Sequence, residues 1–274
     1  MVWTIVSIGI AILAIAAGCG FRWRRRQRDR LYAELAAQWQ PTVSQHAPSI
    51  SQDERQIPEL ATRFSQDHLA WVGNYVSAQT LEQLRQEALA TFSQMEKSFI
   101  PLHKKGHTLS YERVQRLAPG SLGFYHSPEV QKWVSGIVGQ PIFPTPVQDQ
   151  SSLSLLCYRE EGDHINWHYD HNFYRGRHFT VLLSVANEGP PGRLSQSCFQ
   201  HKVLGQERVV PTPPGTLLLF EGARVLHRAT PTAAGDLRIM LSMTYSADPR
   251  ISRFKEMIRR VKDTAFFGIR ALWD

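Results

Sequence analysis

From Ser151 onward the chain is cut into short apolar runs separated by glycine- and proline-rich turns. The runs are Leu153 to Tyr158, Phe179 to Val185, Thr216 to Phe220 and Ile239 to Tyr245; between them stand Glu188-Gly-Pro-Pro-Gly192 and Pro211-Thr-Pro-Pro-Gly215. Runs this short suit strands rather than helices, and several in succession imply a sandwich or barrel. The region before Ser151 reads differently. Asp29 to Gln40 carries Leu31, Leu35 and Trp39 at helical spacing, and Pro41 to Pro58, rich in Ser, Gln and Pro, reads as a linker. Ala70 to Val76 is apolar and β-prone. Thr80 is placed to cap a helix through about Met95, with Leu81, Leu84 and Ala88 on one face. Lys104-Lys-Gly-His107 reads as a loop. Ser127-Pro128-Glu129 opens a helix that runs to about Val138 and closes at Gly139. The expected fold class is therefore mainly β with flanking helices (α+β).

The first twenty residues are of another kind. Val2 to Gly20 bear no charge, and as a helix they would span about 29 Å, the hydrocarbon thickness of a bilayer. Arg22, Arg24, Arg25, Arg26, Arg28 and Arg30 follow against the single acid Asp29. No basic residue precedes the apolar stretch, which disfavours a cleaved signal peptide; Ala16-Ala17-Gly18-Cys19 only faintly resembles a lipoprotein cleavage box. The expectation is a single-pass anchor over 1–21, with the rest of the chain on the cytoplasmic side by the positive-inside rule. A basic juxtamembrane helix and linker over 22–60 come next, followed by one domain over 61–274: helical support 61–148, β core 150–247, and a basic C-terminal helix 249–274. In that last helix Ile251, Phe254, Ile258 and Val261 recur at helical spacing.

The net charge of +7 is concentrated in the arginine run and in a second stretch from Arg250 to Lys262. Because the first run adjoins the apolar segment, an anionic membrane surface is the favoured partner over nucleic acid. With 20% charged and 42% hydrophobic residues, the composition is that of a globular protein. Cys19, Cys157 and Cys198 are scattered, form no CxxC pair, and suggest a reducing compartment.

One constellation carries chemistry. Trp167-His168-Tyr169-Asp170 sets two potential metal ligands two positions apart, a spacing that shares one face of an extended strand. His227, within Arg224-Val-Leu-His-Arg-Ala-Thr-Pro231, ends another strand and supplies a third. Two imidazoles and one carboxylate leave open positions on a metal, the arrangement used by non-haem Fe(II) oxygenases. Arg238 begins the following strand and shares a face with Met240 and Ser242. Its guanidinium could pair with the distal carboxylate of a dicarboxylic keto acid, and Ser242 could add a hydrogen bond. His164, His171 and His178 lie nearby without partner spacing; they suit pocket lining or the surface. Trp167, Tyr169, Phe173 and Tyr174 offer either sheet packing or an aromatic pocket wall. Arg175 and Arg177 read as a solvated loop.

The stretches Tyr158-Arg-Glu-Glu-Gly162, His168-Tyr-Asp170, Arg177-His-Phe-Thr-Val-Leu-Leu183 and Pro213-Pro-Gly-Thr-Leu-Leu-Leu-Phe220, together with His227 and Arg238, resemble the Fe(II)- and 2-oxoglutarate-dependent oxygenases, prolyl-hydroxylase-like branch. The resemblance covers roughly Tyr158 to Tyr245. It implies a double-stranded β-helix (jelly roll), with His168, Asp170 and His227 as iron ligands and Arg238 on the distal carboxylate of 2-oxoglutarate. Tyr158 stands near a family tyrosine that contacts the same carboxylate. Ascorbate is a candidate reductant. The implied activity is a membrane-anchored dioxygenase that hydroxylates a lipid, a membrane protein or a small metabolite and releases succinate and CO2. A metal-binding jelly roll that has lost oxidation and acts as a sensor or interaction module is the alternative; a cupin-type enzyme with another metal would leave Arg238 unexplained.

Overall fold

The computed structural model describes Arg30, Glu34, Ala37, residues 39–252 and residues 255–259. The expected anchor, most of the arginine run, Phe254 and Val261 lie outside those residues. No helix among the described residues is long and apolar enough to cross a membrane. The chain divides into two units, Met1–Pro41 with Asp274, and Thr42–Trp273. The described residues of the first are helical. The second carries the sheet and the candidate site.

Among the described residues, twelve strands form one continuous curled sheet. They are β1 (Leu69–Val72), β2 (Glu96–Ile100), β3 (Lys104–Leu109), β4 (Phe143–Pro144), β5 (Leu153–Tyr158), β6 (His164–His168), β7 (His178–Glu188), β8 (Phe199–Val203), β9 (Gln206–Val210), β10 (Leu217–Phe220), β11 (His227–Ala229) and β12 (Leu237–Ser246). The hydrogen-bonded order is β1-β10-β7-β12-β5-β3-β6-β11-β8-β9, with β2 on β3 and β4 on β12. Neighbouring strands run antiparallel throughout. The path bends at β3, which bonds both β5 and β6 and so joins the long-stranded half to the short-stranded half. This is a jelly-roll-like architecture. β7 is buried along nearly its whole length, because it has the inner cavity on one side and helices on the other. Its reading as a near-continuous apolar run follows from that double coverage.

The helices are α1 (Ile57–Asp67), α2 (Ala78–Ala90), α3 (Tyr111–Leu117), α4 (Pro119–His126) and α5 (Pro128–Val138). α5 matches its sequence signals. Ser127 accepts the Val130 amide, Pro128 takes the first turn, and Gly139 closes the helix at φ +72°. Its buried face is Val130, Trp133, Val134, Ile137 and Val138. α1 packs on α5 and β1, and α2 on α4 and β7.

Four expectations need correction. The cap of α2 is Ser77, whose hydroxyl accepts the Thr80 amide, and the helix stops at Ala90 rather than near Met95. Ser77 is the residue with extended backbone before the first turn, and Thr80 lies inside the helix, buried. Lys104-Lys-Gly-His107 is not a loop but most of β3; its polar residues hide the alternation that normally marks a strand. The stretch 41–58 is only partly a linker. Residues 41–45 are helical, Ile50 bridges Val76, and α1 begins at Ile57. In the C-terminal segment Ile258 is 40% exposed while Arg259 is 2% exposed. Arg259 donates to the Gln148 carbonyl and pairs with Glu256, so a charged side chain takes the inward place expected of Ile258.

Candidate metal centre

β6 ends on His168 and β11 begins on His227, and the two residues face each other directly in the antiparallel register. Their rings lie 4.2 Å apart between centroids. Asp170 follows two residues after β6, with its amide donating to the Gly222 carbonyl at 3.0 Å. Its Oδ1 lies 3.6 Å from His168 Nε2 and 3.9 Å from His227 Nε2. One potential ligand atom from each of the three residues falls within a 4.8 Å cluster.

The donor set fits a divalent ion. His168 Nδ1 lies 2.7 Å from the Asn166 carbonyl, and His227 Nδ1 lies 2.9 Å from the Val225 carbonyl. A carbonyl only accepts, so both Nδ1 atoms carry the proton and both Nε2 lone pairs are left toward the centre. Burial pushes the His168 imidazole down to about 4, with His227 adding to the effect, so His168 is neutral near pH 7. Burial would raise Asp170, but His227, His168, His178 and the Thr180 hydrogen bond together hold its carboxyl at about 2, and it is ionised. The Thr180 hydroxyl donates to Asp170 Oδ2 at 2.6 Å. Phe199 stacks on the His227 ring at 5.5 Å and Phe220 meets it edge-on at 4.6 Å, which fixes its plane.

The cluster lies in the wall of a cavity of about 290 Å3. β12 and β5 line it in register: Arg238 opposite Tyr158, Met240 opposite Leu156, Ser242 opposite Ser154. Arg238 is 2% exposed. Its guanidinium carbon sits 5.7 Å from the Tyr158 ring centroid, and its Nε has no hydrogen-bond partner. No carboxylate pairs with Arg238 among the described residues. A buried, unsatisfied guanidinium opening on a cavity is a receptor for an anion.

The expected site residues His168, Asp170, His227, Arg238, Ser242 and Tyr158 thus all border one cavity. His171 and His178 border it too, whereas His164 turns its Nδ1 to the Gly162 carbonyl. Tyr169 and Tyr174 line it; Trp167 instead lies under Lys202 and Arg228, whose charges sit 4.8 and 4.5 Å from its ring. Arg177 is not merely solvated: it makes a two-pronged pair with Glu221, at 3.1 and 2.8 Å.

Sequence reasoning missed Lys104, Thr108, Thr180 and Gly222. Lys104 is 4% exposed, lines the cavity, and donates to Thr108 at 3.1 Å. Gly222 is required by packing, because a Cβ there would stand 2.3 Å from Asp170 Oδ2. The alternation of Lys104, Gly106 and Thr108 along β3 was the one signal available for the first two.

Comparison with known proteins agrees with this geometry. A family model described as Halogenase D matches residues 52–175. No curated protein matches the sequence. Among solved structures, a prolyl hydroxylase in complex with a hypoxia inducible factor oxygen degradation domain peptide fragment, from Trichoplax adhaerens, is 13% identical; the match covers 75% of this chain and 93% of that one, with a TM-score of 0.58. An oxidoreductase of the 2OG-Fe(II) oxygenase family from Burkholderia pseudomallei is 13% identical over 75% of this chain and 96% of its own, with a TM-score of 0.56. The epimerase SnoN in complex with Fe3+, alpha ketoglutarate and nogalamycin RO is 15% identical over 71% and 84%, with a TM-score of 0.55. The chain has the fold of the Fe(II)- and 2-oxoglutarate-dependent oxygenase superfamily.

Proposed function

We propose that this chain is a membrane-anchored dioxygenase that uses Fe(II), 2-oxoglutarate and dioxygen to oxidise a substrate held in the cavity, releasing succinate and CO2. The observation that carries the reading is the coexistence, in one cavity, of the His168–Asp170–His227 cluster and the buried, unpaired guanidinium of Arg238. A ferrous ion would supply dioxygen activation, which side chains alone cannot. The residues of this chain then have separable tasks. His168, Asp170 and His227 would hold the ion, their orientation set by Asn166, Val225 and Thr180. Arg238, with Tyr158 and Ser242 beside it, would hold the distal carboxylate of 2-oxoglutarate. Leu156, Leu182, Phe199, Phe220 and Met240 give the cavity apolar walls that exclude water. The apolar segment Val2–Gly20 and its trailing arginines support the anchor.

Hydroxylation is favoured over halide transfer, which the matching family description brings to mind. A halide needs its own place on the metal. With His168, Asp170 and His227 holding the ion and a keto acid chelating it, no place would remain for a halide beside dioxygen.

Anaerobic addition of Fe(II) and 2-oxoglutarate to the purified chain tests the reading. A visible charge-transfer band and slow succinate release on admitting oxygen are expected. No band at saturating concentrations of both would end it. A band with no turnover on any membrane extract, searched by mass spectrometry for a gain of one oxygen, would favour the sensor alternative.

A further inference from the structure

Two hairpins turn at the end of the sheet that carries the metal centre, and both are tipped by leucine. The β2–β3 hairpin turns at residues 101–103, and the β8–β9 hairpin turns at Leu204-Gly205. Leu102 is 93% exposed and Leu204 is 99% exposed. The register places both tips at the metal-centre end of the sheet. β3 runs antiparallel to β6 with Lys104 opposite Ile165, and the Asn166 side chain donates to the Leu102 carbonyl. The His103 ring, next to Leu102, meets the His168 ring edge-on at 5.7 Å. On the other flank His201 faces His227, which faces His168, so Leu204 projects past the level of the ligands. Tyr169, 50% exposed, lines the cavity, and Phe99, 65% exposed, stands near the end of β2 beside the first turn.

Turn chemistry does not account for these leucines. Leu102 and Leu204 hold φ of +62° and +50°, the left-handed region that favours Gly or Asn. Leu204 and Gly205 both have positive φ, the pattern of a tight hairpin turn that selects Asn-Gly or Asp-Gly. Leu102 and Leu204 are thus apolar side chains that neither packing nor turn chemistry selects, and both project from the same end of the sheet. The sequence suggests a partner for them: an apolar segment of bilayer-spanning length followed by six arginines would, as the anchor proposed above, tie this domain to an anionic membrane surface.

We propose that Leu102 and Leu204, with Phe99 and Tyr169, dip into an anionic lipid bilayer, so that the cavity mouth opens onto the membrane surface. The substrate would then enter from the bilayer, as a lipid or a membrane-embedded segment. The substrate part rests on the oxygenase reading; the docking part rests only on the membrane anchor proposed above.

The test uses the full chain reconstituted in phosphatidylcholine–phosphatidylglycerol vesicles. Leu102→Cys, Leu204→Cys and Leu194→Cys are each labelled with a small fluorophore, in a background with Cys19, Cys157 and Cys198 replaced by alanine. Leu194, 47% exposed, follows the turn after β7 at the opposite end of the barrel and is the control. Lipids brominated in the acyl chain should quench labels at 102 and 204 and spare the label at 194. Equal quenching at all three positions, or none at 102 and 204, overturns the proposal, and the latter would indicate a protein partner for the tips. Wild-type chain gives an independent reading by hydrogen exchange. Residues 99–104 and 202–207 should exchange more slowly in vesicles than in detergent, with the 189–194 turn unchanged; no slowing at the tips counts against the proposal. Neither readout requires iron or 2-oxoglutarate, so failure here and failure of the oxygenase reading are separate results.

Discussion

Replacing Arg238 by Met should make the apoprotein more stable and nearly abolish 2-oxoglutarate binding. The guanidinium is 2% exposed and its Nε has no partner. Burial presses its pKa down, and Tyr158 and Cys198 oppose the effect. Leaving a buried donor unsatisfied costs about 1–3 kcal/mol, and methionine of similar length removes that cost while filling the space. For a chain of this size the gain should appear as a Tm rise of about 2–4 °C per kcal/mol. In the complex the sign reverses. Removing one member of a buried, hydrogen-bonded charge pair costs about 2–5 kcal/mol, so Kd for 2-oxoglutarate should increase roughly thirty-fold to several thousand-fold. Two assays separate the effects: denaturant unfolding of the apoprotein, and anaerobic calorimetric titration of 2-oxoglutarate with Mn(II) in place of Fe(II). Metal affinity without 2-oxoglutarate should change little. An Arg238→Met variant that is less stable than the parent, or that binds 2-oxoglutarate within about threefold of it, would show that Arg238 has a structural role and does not face the co-substrate.

Three further outcomes follow from the geometry. Thr180→Val removes the 2.6 Å hydrogen bond to Asp170 Oδ2 and should weaken Fe(II) affinity about 10- to 100-fold, as titration against a competing chelator would show; unchanged affinity would mean that the carboxylate is held by its backbone alone. Gly222→Ala puts a methyl 2.3 Å from the same oxygen and should abolish metal-induced thermal stabilisation, which a metal-dependent Tm shift equal to the parent's would contradict. His126 is half-buried with its ring nitrogen 2.8 Å from the Tyr111 hydroxyl, and desolvation pushes its pKa down to about 4. Below pH 6.5 the unfolded chain takes up a proton that the folded one refuses, so the stability this residue contributes is intact above pH 6.5. It is lost, by about 3 kcal/mol, as pH falls to about 4. His126→Gln should remove that share of the slope in apoprotein unfolding measured across the window; an unaltered slope would place the titration elsewhere.

The chemistry-bearing side chains were legible because each sits beside a strong local pattern. His168 and Asp170 border one strand, His227 and Arg238 open two others, and Ser127, Pro128 and Gly139 bracket α5 with standard cap chemistry. β3 was not legible. A strand is recognised by apolar alternation, and here the inward positions are Lys104, Gly106 and Thr108, with Lys104 and Thr108 polar where they face the cavity. Thr180 hid for the opposite reason: inside Phe179–Val185 it looks like one more core residue, and only the fold brings Asp170 to its hydroxyl.

Local order along the chain was enough to specify the strand-and-turn texture, the types of ligand available, and an arginine at the start of the last long strand. Strand position and the family resemblance singled out His168 and His227 among the eleven histidines, but only the packed fold brings them together. His168 and His227 become neighbours through the pairing of β6 with β11, and that register depends on β3 bridging the two halves of the sheet. Side-chain periodicity is a property of a few adjacent residues, whereas sheet closure is fixed by the packing of the whole core, so the local pattern marks the ligands but does not itself set the distance between them.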